Sequence, residues 1–87
     1  MEDLRLAFGK RVRELRTGLG LSQEALAERA HLHWTYVSGV ERGQRTPGLD
    51  VIGRLAIALD VSPATLFGPL TARYRKRSRP AVRRGPV

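Results

Sequence analysis

A chain of 87 residues has room for one small hydrophobic core but not for two independent ones. It contains no cysteine, which excludes disulfides and thiolate metal sites, and no run of about 18 apolar residues that would cross a bilayer. Its opening "MEDLRLAFGKRVRE" carries charges where a signal peptide needs an apolar stretch, so a soluble, cytoplasmic protein is expected. The formal charge of +8 is unevenly distributed: residues 1–70 hold nine Lys and Arg against all eight acids, whereas residues 71–87 hold seven cations and no acid. Residues 4–70 are therefore expected to form the domain, and 71–87 a basic tail.

Within the domain the apolar residues follow a helical period and strand-like alternation is absent, which predicts an all-α fold. Leu4, Phe8, Val12, Leu15 and Leu19 recur every three or four residues and give a first helix with one buried stripe, stopped by Gly18 and Gly20. Ser22 then caps a second helix, "QEALAERA", with Glu24 in its first turn to complement the helix dipole and Leu26, Ala27 and Ala30 facing inward. After the link "HLH", a third helix runs over 34–42 and ends at Gly43. A fourth lies in "TPGLDVIGRLAIALD", with Ile52, Leu55, Ala56 and Leu59 on one face. "VSPATLF" supplies a Ser62 cap, Pro63 at the first helical position, and Leu66 with Phe67 to bury, a short fifth helix. In the tail, the four-residue spacing of Leu70 and Tyr74 allows a short helix over 70–78 resting on the domain or on a partner chain.

The third helix holds two of the five aromatic residues of the chain. Wound at 100° per residue, Trp34, Thr35, Ser38, Gly39 and Arg42 fall within one arc of about 140°. Val37, Val40 and Glu41 lie opposite, with Tyr36 at the flank. The first arc is poor in bulk near its middle and rich in hydrogen-bonding groups, which suits entry into a major groove roughly 12 Å wide better than burial. On this reading Gly39 allows close approach. An inward-facing Glu41 requires a cation, because an unpaired buried carboxylate is costly. Arg16, one turn after Val12 on the flank of the stripe, is the best placed partner. The alternative is that both are solvated surface charges.

Little points to catalysis. His31 and His33 in a short link, with no nearby carboxylate or cysteine, supply too few ligands for a closed metal site. Ser22 and Ser38 serve better as a cap and a groove contact than as nucleophiles. No triad or phosphate loop is visible, so no enzyme, no metal and no cofactor are expected.

The segment "LSQEALAERAHLHWTYVSGVERGQRTPGLDVIGRLAIALDVSPATLF" closely resembles the helix-turn-helix domain of the Cro and C1 repressor class, the Xre family, over about residues 8–67. The specific parts are "LSQEALA", the "ERG" closing the third helix, and "LAIALDVS". The resemblance implies a five-helix, lambda-repressor-like domain that binds double-stranded operator DNA as a homodimer. It implies that Gln23 bonds a phosphate and that Trp34, Thr35, Tyr36, Ser38 and Gly39 face bases and the flanking backbone. It places Arg42, the amide of Gly43, Gln44 and Arg45 at phosphates again, and it matches Arg16 and Glu41 to a recurrent ion pair. Trp34 departs from the Gln, Arg or Ser common at its position, leaving two readings: stacking or thymine-methyl contact in the groove, or packing against the second helix or the neighbouring link. Ile57 and Val51 also stand where polar side chains are common, which suggests a partner surface or nothing at all. "LHWTYVSGVERGQRTPGL" looks most like the small controller proteins of restriction–modification systems, single-domain dimers that regulate their own gene and that of the endonuclease.

Dimerisation also follows physically, because one recognition helix reads only a few base pairs. The expected interface is Val61, Leu66, Phe67 and Leu70, with closure of the core as the other role for Leu66 and Phe67. Two roles remain for the tail of Arg73, Arg75, Lys76, Arg77, Arg79, Arg83 and Arg84: a solvated charge run, or an arm along a phosphate backbone. A second class of function is an antitoxin-type module whose tail binds a protein partner while the domain binds its operator. Attachment to a membrane surface is disfavoured, since the tail has little apolar surface to insert.

Overall fold

The computed structural model describes residues 3–68. Among these the chain forms five helices: α1 (Leu4–Gly18), α2 (Gln23–Ala30), α3 (Trp34–Glu41), α4 (Leu49–Ala58) and α5 (63–68). No described helix is long and apolar enough to cross a membrane. α2 packs against both α3 and α4, and α1 packs across α3. The core between them is built from Phe8, Val12, Leu26, Ala27, Ala30, Val37, Val40, Leu55, Ala56, Leu59 and Leu66.

Helix starts follow side-chain chemistry. The Asp3 carboxylate accepts from the Arg5 amide at 2.9 Å, Ser22 Oγ from Ala25 at 3.0 Å, and Ser62 Oγ from Thr65 at 3.2 Å. The Arg5 side chain and amide hold the Asp3 carboxyl below its usual pKa. Helix ends share one device. In each of α1 to α4 the last turn closes through a residue in the left-handed region and a backbone bond spanning five residues: Leu21 to Arg16, Leu32 to Ala27, Gln44 to Gly39 and Val61 to Ala56. Gly20 and Gly43 occupy that position in α1 and α3 at little conformational cost, whereas His31 (φ 57°) and Asp60 (φ 59°) occupy it in α2 and α4.

The stripe on α1 differs from its expected composition. Phe8 and Val12 are buried and Leu15 is half-buried, but Leu4 is 41% and Leu19 50% exposed. Ala7, Gly9 and Arg16 are buried instead. At Gly9 the reason is steric: a Cβ on Gly9 would collide with the Val40 carbonyl oxygen and sit 2.8 Å from that of Glu41, so the backbones of α1 and α3 touch here. Leu4 is the first residue of α1 and Leu19 its C-cap, so both ends of the leucine stripe stand at the ends of the helix and stay outside the core. Helix α3 also ends at Glu41 rather than 42, with Arg42 as its cap. The expected boundary near residue 70 and the whole basic tail lie outside the described residues.

Candidate nucleic-acid interface

One buried carboxylate organises the site. Arg16 donates to Glu41 through Nε (2.6 Å) and Nη2 (2.9 Å), and through Nη1 to the Leu21 carbonyl at 2.7 Å. The Glu41 side chain is 3% exposed, so this two-point pair is shielded from water. The carboxylate raises the pKa of Arg16, against the opposing effect of burial. Gln23 joins the same centre, donating from Nε2 to Glu41 Oε1 at 3.0 Å. The resemblance implies a phosphate contact for this amide; one of its N–H donors serves Glu41, and the amide has a second. The C-terminal half of α1, the start of α2 and the end of α3 are thereby fixed to one another, giving α3 a rigid base.

On the outward side, Trp34 is 47% exposed and Thr35 is exposed, both in the first turn of α3. Trp34 does not pack into the core; its ring lies 6.3 Å from that of His33. His33, missed as a cap by sequence reasoning, accepts from the Thr35 amide at 3.2 Å, with its Nδ1 2.7 Å from Thr35 Oγ1. It caps α3 as Ser or Asp would, and the signal for it was its place immediately before the first helical residue.

Ser38 and Gly39 depart from expectation, because both are buried rather than open. Arg42 bonds Ser38 Oγ through Nη1 and reaches Gln44 Oε1 through Nε (3.2 Å) and Nη2 (3.0 Å). The stem of Arg45 covers Gly39, where a Cβ would come within 2.8 Å of its Cγ, and its guanidinium carbon lies 5.5 Å from the centre of the Tyr36 ring. The close approach made possible at Gly39 is thus by Arg45. A helical wheel describes a bare cylinder, whereas here the turn after α3 folds back over its middle. The exposed surface consists of Trp34, Thr35, Arg42, Gln44 and Arg45, with half-buried Tyr36 at its edge and Gly43 buried against Leu6.

The expected dimer surface also changes. Leu66 is completely buried in the core and has no area to offer a partner. Half-buried Phe67 stacks on Phe8 with ring centres 5.2 Å apart, and Val61 is half-buried. Leu70 lies outside the described residues. The large apolar side chains left in water on α4 are instead Ile57 (81% exposed) and Leu49 (88%), while Val51 is half-buried. No group of three His, Asp or Glu suited to a metal occurs among the described residues.

The helix-turn-helix family pattern matches residues 12–66. The control protein C.BamHI of Bacillus amyloliquefaciens is 45% identical over 66 residues, covering 75% of this chain and 82% of that protein. The crystal structure of the restriction–modification controller protein C.AhdI from Aeromonas hydrophila superposes with a TM-score of 0.72 at 56% identity, over 72% of this chain and 96% of that one. The controller protein C.Esp1396I, solved as a tetramer on its natural 35 base-pair operator, superposes with a TM-score of 0.74 at 28% identity, over 83% of this chain and 95% of that one.

Proposed function

We propose, from the premise that this chain belongs to the Cro/C1-type helix-turn-helix family, that it lays α3 in the major groove of an operator and reads it with the residues exposed there. The chain is a DNA-binding transcriptional regulator that acts as a homodimer on double-stranded DNA, in a family of regulators rather than enzymes. The observation that carries the assignment to α3 is the outward surface of this helix and the turn after it: Trp34 and Thr35 on α3, and Arg42, Gln44 and Arg45 beyond its end, stand exposed while Glu41 locks the other side.

Thr35 and Trp34 meet base edges or thymine methyls, and Tyr36 and Arg45 act as a stacked pair at the groove wall. Ser38 acts through Arg42: the guanidinium, poised by Ser38 and Gln44, either exchanges these bonds for a guanine edge or keeps them and faces a phosphate. Gln23 holds a flanking phosphate with its second N–H, assisted by the α2 N-terminus; the Gly43 amide, expected to do the same, instead donates to the Val40 carbonyl at 3.0 Å and is buried against Leu6. The dimer contact is built from Ile57, Val61 and Leu49, whose exposed apolar surface in one subunit is matched by that of the other across a two-fold axis.

Like the controller proteins it resembles, the chain regulates the promoter of its own gene and that of a linked endonuclease, in the cytoplasm, by binding and without a catalytic step. Assembly as a tetramer on the operator, the state in which C.Esp1396I is found on its own operator, makes occupancy a steep function of protein concentration. An antitoxin-type role, in which the tail captures a protein partner, is the second reading and rests only on the tail's concentrated charge.

Binding of Thr35→Ala tests the assignment. It should keep the melting temperature while losing about 1–3 kcal/mol of preference for operator over random DNA. Undiminished discrimination would remove α3 from base reading.

A further inference from the structure

A groove of about 190 Å³ opens between the start of α1, the turn after α3, α4 and α5, walled by Leu4, Phe8, Pro47, Ile52 and Phe67 with Thr46 at its rim. Its one charged lining residue, Arg5, is bonded to Asp3 at 3.4 Å. The volume exceeds the roughly 150 Å³ at which an apolar cavity accepts a benzene-sized group. Of the residues expected at DNA or at the dimer contact only Phe67 lines it, and Phe67 is stacked on Phe8.

The chain itself provides an occupant. Phe67 forms part of the wall, Gly68 is the last described residue, and nineteen residues follow. Leu70 comes three residues after Phe67, within a reach of about 10 Å. It and Tyr74, four residues later, are the only large apolar side chains before Val82 in a stretch otherwise dominated by arginine and lysine. An arginine-rich segment gains nothing from an apolar groove except through such residues, whereas Leu70 and Tyr74 together match its size and character.

We infer that the groove is the docking site of the chain's own segment 69–74, held by Leu70 with Tyr74 across the mouth. Docking there fixes the origin of the basic run beside Thr46 and Pro47, immediately after Arg45. The cations from Arg73 to Arg79 then leave the domain next to its phosphate-facing turn and extend the contact along the backbone flanking each half-site. The tail becomes a positioned arm rather than a randomly placed one, which raises the effective concentration of its charges at the DNA. Docking rests on the groove alone; only its consequence for DNA depends on the proposed function.

The absence of cysteine makes the test direct. Full-length R5C/T71C and T46C/T71C, which keep Leu70 and Tyr74, are oxidised at low protein concentration without DNA, beside L49C/T71C, whose Leu49 is 88% exposed and does not line the groove. A disulfide requires Cα atoms about 4.4–6.8 Å apart. Docking predicts that most of at least one groove pair closes within a single chain, while the Leu49 pair stays largely open. Equal closure of all three, or closure of none, overturns the inference. Bridges formed between chains overturn it in favour of the groove as a contact between copies. On DNA, L70D should lower the salt slope of binding by about 0.9 for each phosphate contact released. With the cross-link formed, an unchanged slope would separate a docked tail from any role in DNA binding.

Discussion

Removing the Glu41 carboxylate should affect the stability of this domain more than any other single polar change. Glu41→Ala strips Arg16 of two of its three hydrogen bonds and leaves only Leu21 O, in a residue 9% exposed, and it also removes the acceptor for Gln23. Breaking a buried pair on one side typically costs 3–5 kcal/mol, because the remaining charge is uncompensated. Arg16 retains some access to water, so the lower end of about 3 kcal/mol is expected. A domain of this size has total stability on the order of 3–10 kcal/mol, and each kcal/mol moves Tm by about 4–8 °C. The variant should therefore melt at least about 12 °C lower at the same protein concentration, by circular dichroism. The decisive comparison is R16M/E41L, which removes both charges and fills the space with apolar groups. It should recover most of the loss. A drop below about 1 kcal/mol in Glu41→Ala, or a double variant less stable than the single one, would refute the claim that an uncompensated buried charge governs this site.

Gly9→Ala should be severely destabilising, by about 3 kcal/mol or more, since the new methyl meets backbone carbonyls of Val40 and Glu41 that no side-chain rotation can move aside; urea unfolding measures it, and a loss under about 1 kcal/mol would contradict the contact. His31→Gly and Asp60→Gly should each stabilise by roughly 0.5–1 kcal/mol, because both positions hold left-handed backbone, the relief exceeding the added unfolded-state entropy. Thermal melts that fall instead would show that these side chains contribute more than their strain costs. Ile57→Asp should weaken dimerisation at least about tenfold by placing an acid against its own copy across the two-fold axis. Sedimentation equilibrium reads this directly, and an unchanged dimer would move the interface elsewhere.

The five helices were legible because valine, leucine and alanine recur at helical spacing and all but α4 carry recognisable punctuation, Ser22 and Ser62 capping with their side chains and Gly20 and Gly43 taking the left-handed turn. The tie between Arg16 and Glu41 was legible too, since an inward-facing acid demands a cation and one lay a turn beyond the buried stripe. What the pattern did not reveal were events between elements. The backbone contact of Gly9 with α3, and the burial of Ala7 and Arg16 in place of Leu4 and Leu19 at the helix ends, are not encoded in any single-helix periodicity. Arg42 and Arg45 fold back from the following turn to cover Ser38 and Gly39, so a wheel drawn for α3 alone counts both as open. Leu66 has the composition of an interface residue and the position of a core one; only its packing distinguishes the two. His31 and His33, unpromising as ligands, serve as a left-handed helix end and an N-terminal cap, roles more often filled by glycine and by serine or aspartate.

The central claim is sequence-specific operator recognition by a dimer, and titration of the purified protein at fixed physiological salt against DNA from just upstream of its own gene, beside random DNA of equal length, tests it most directly. The account predicts two-fold symmetric protection of the upstream fragment, with half-sites about 34 Å apart and affinity at least about 10³ above that for random DNA. Equal, salt-sensitive binding to both fragments would contradict it, leaving only the charge of the tail at work.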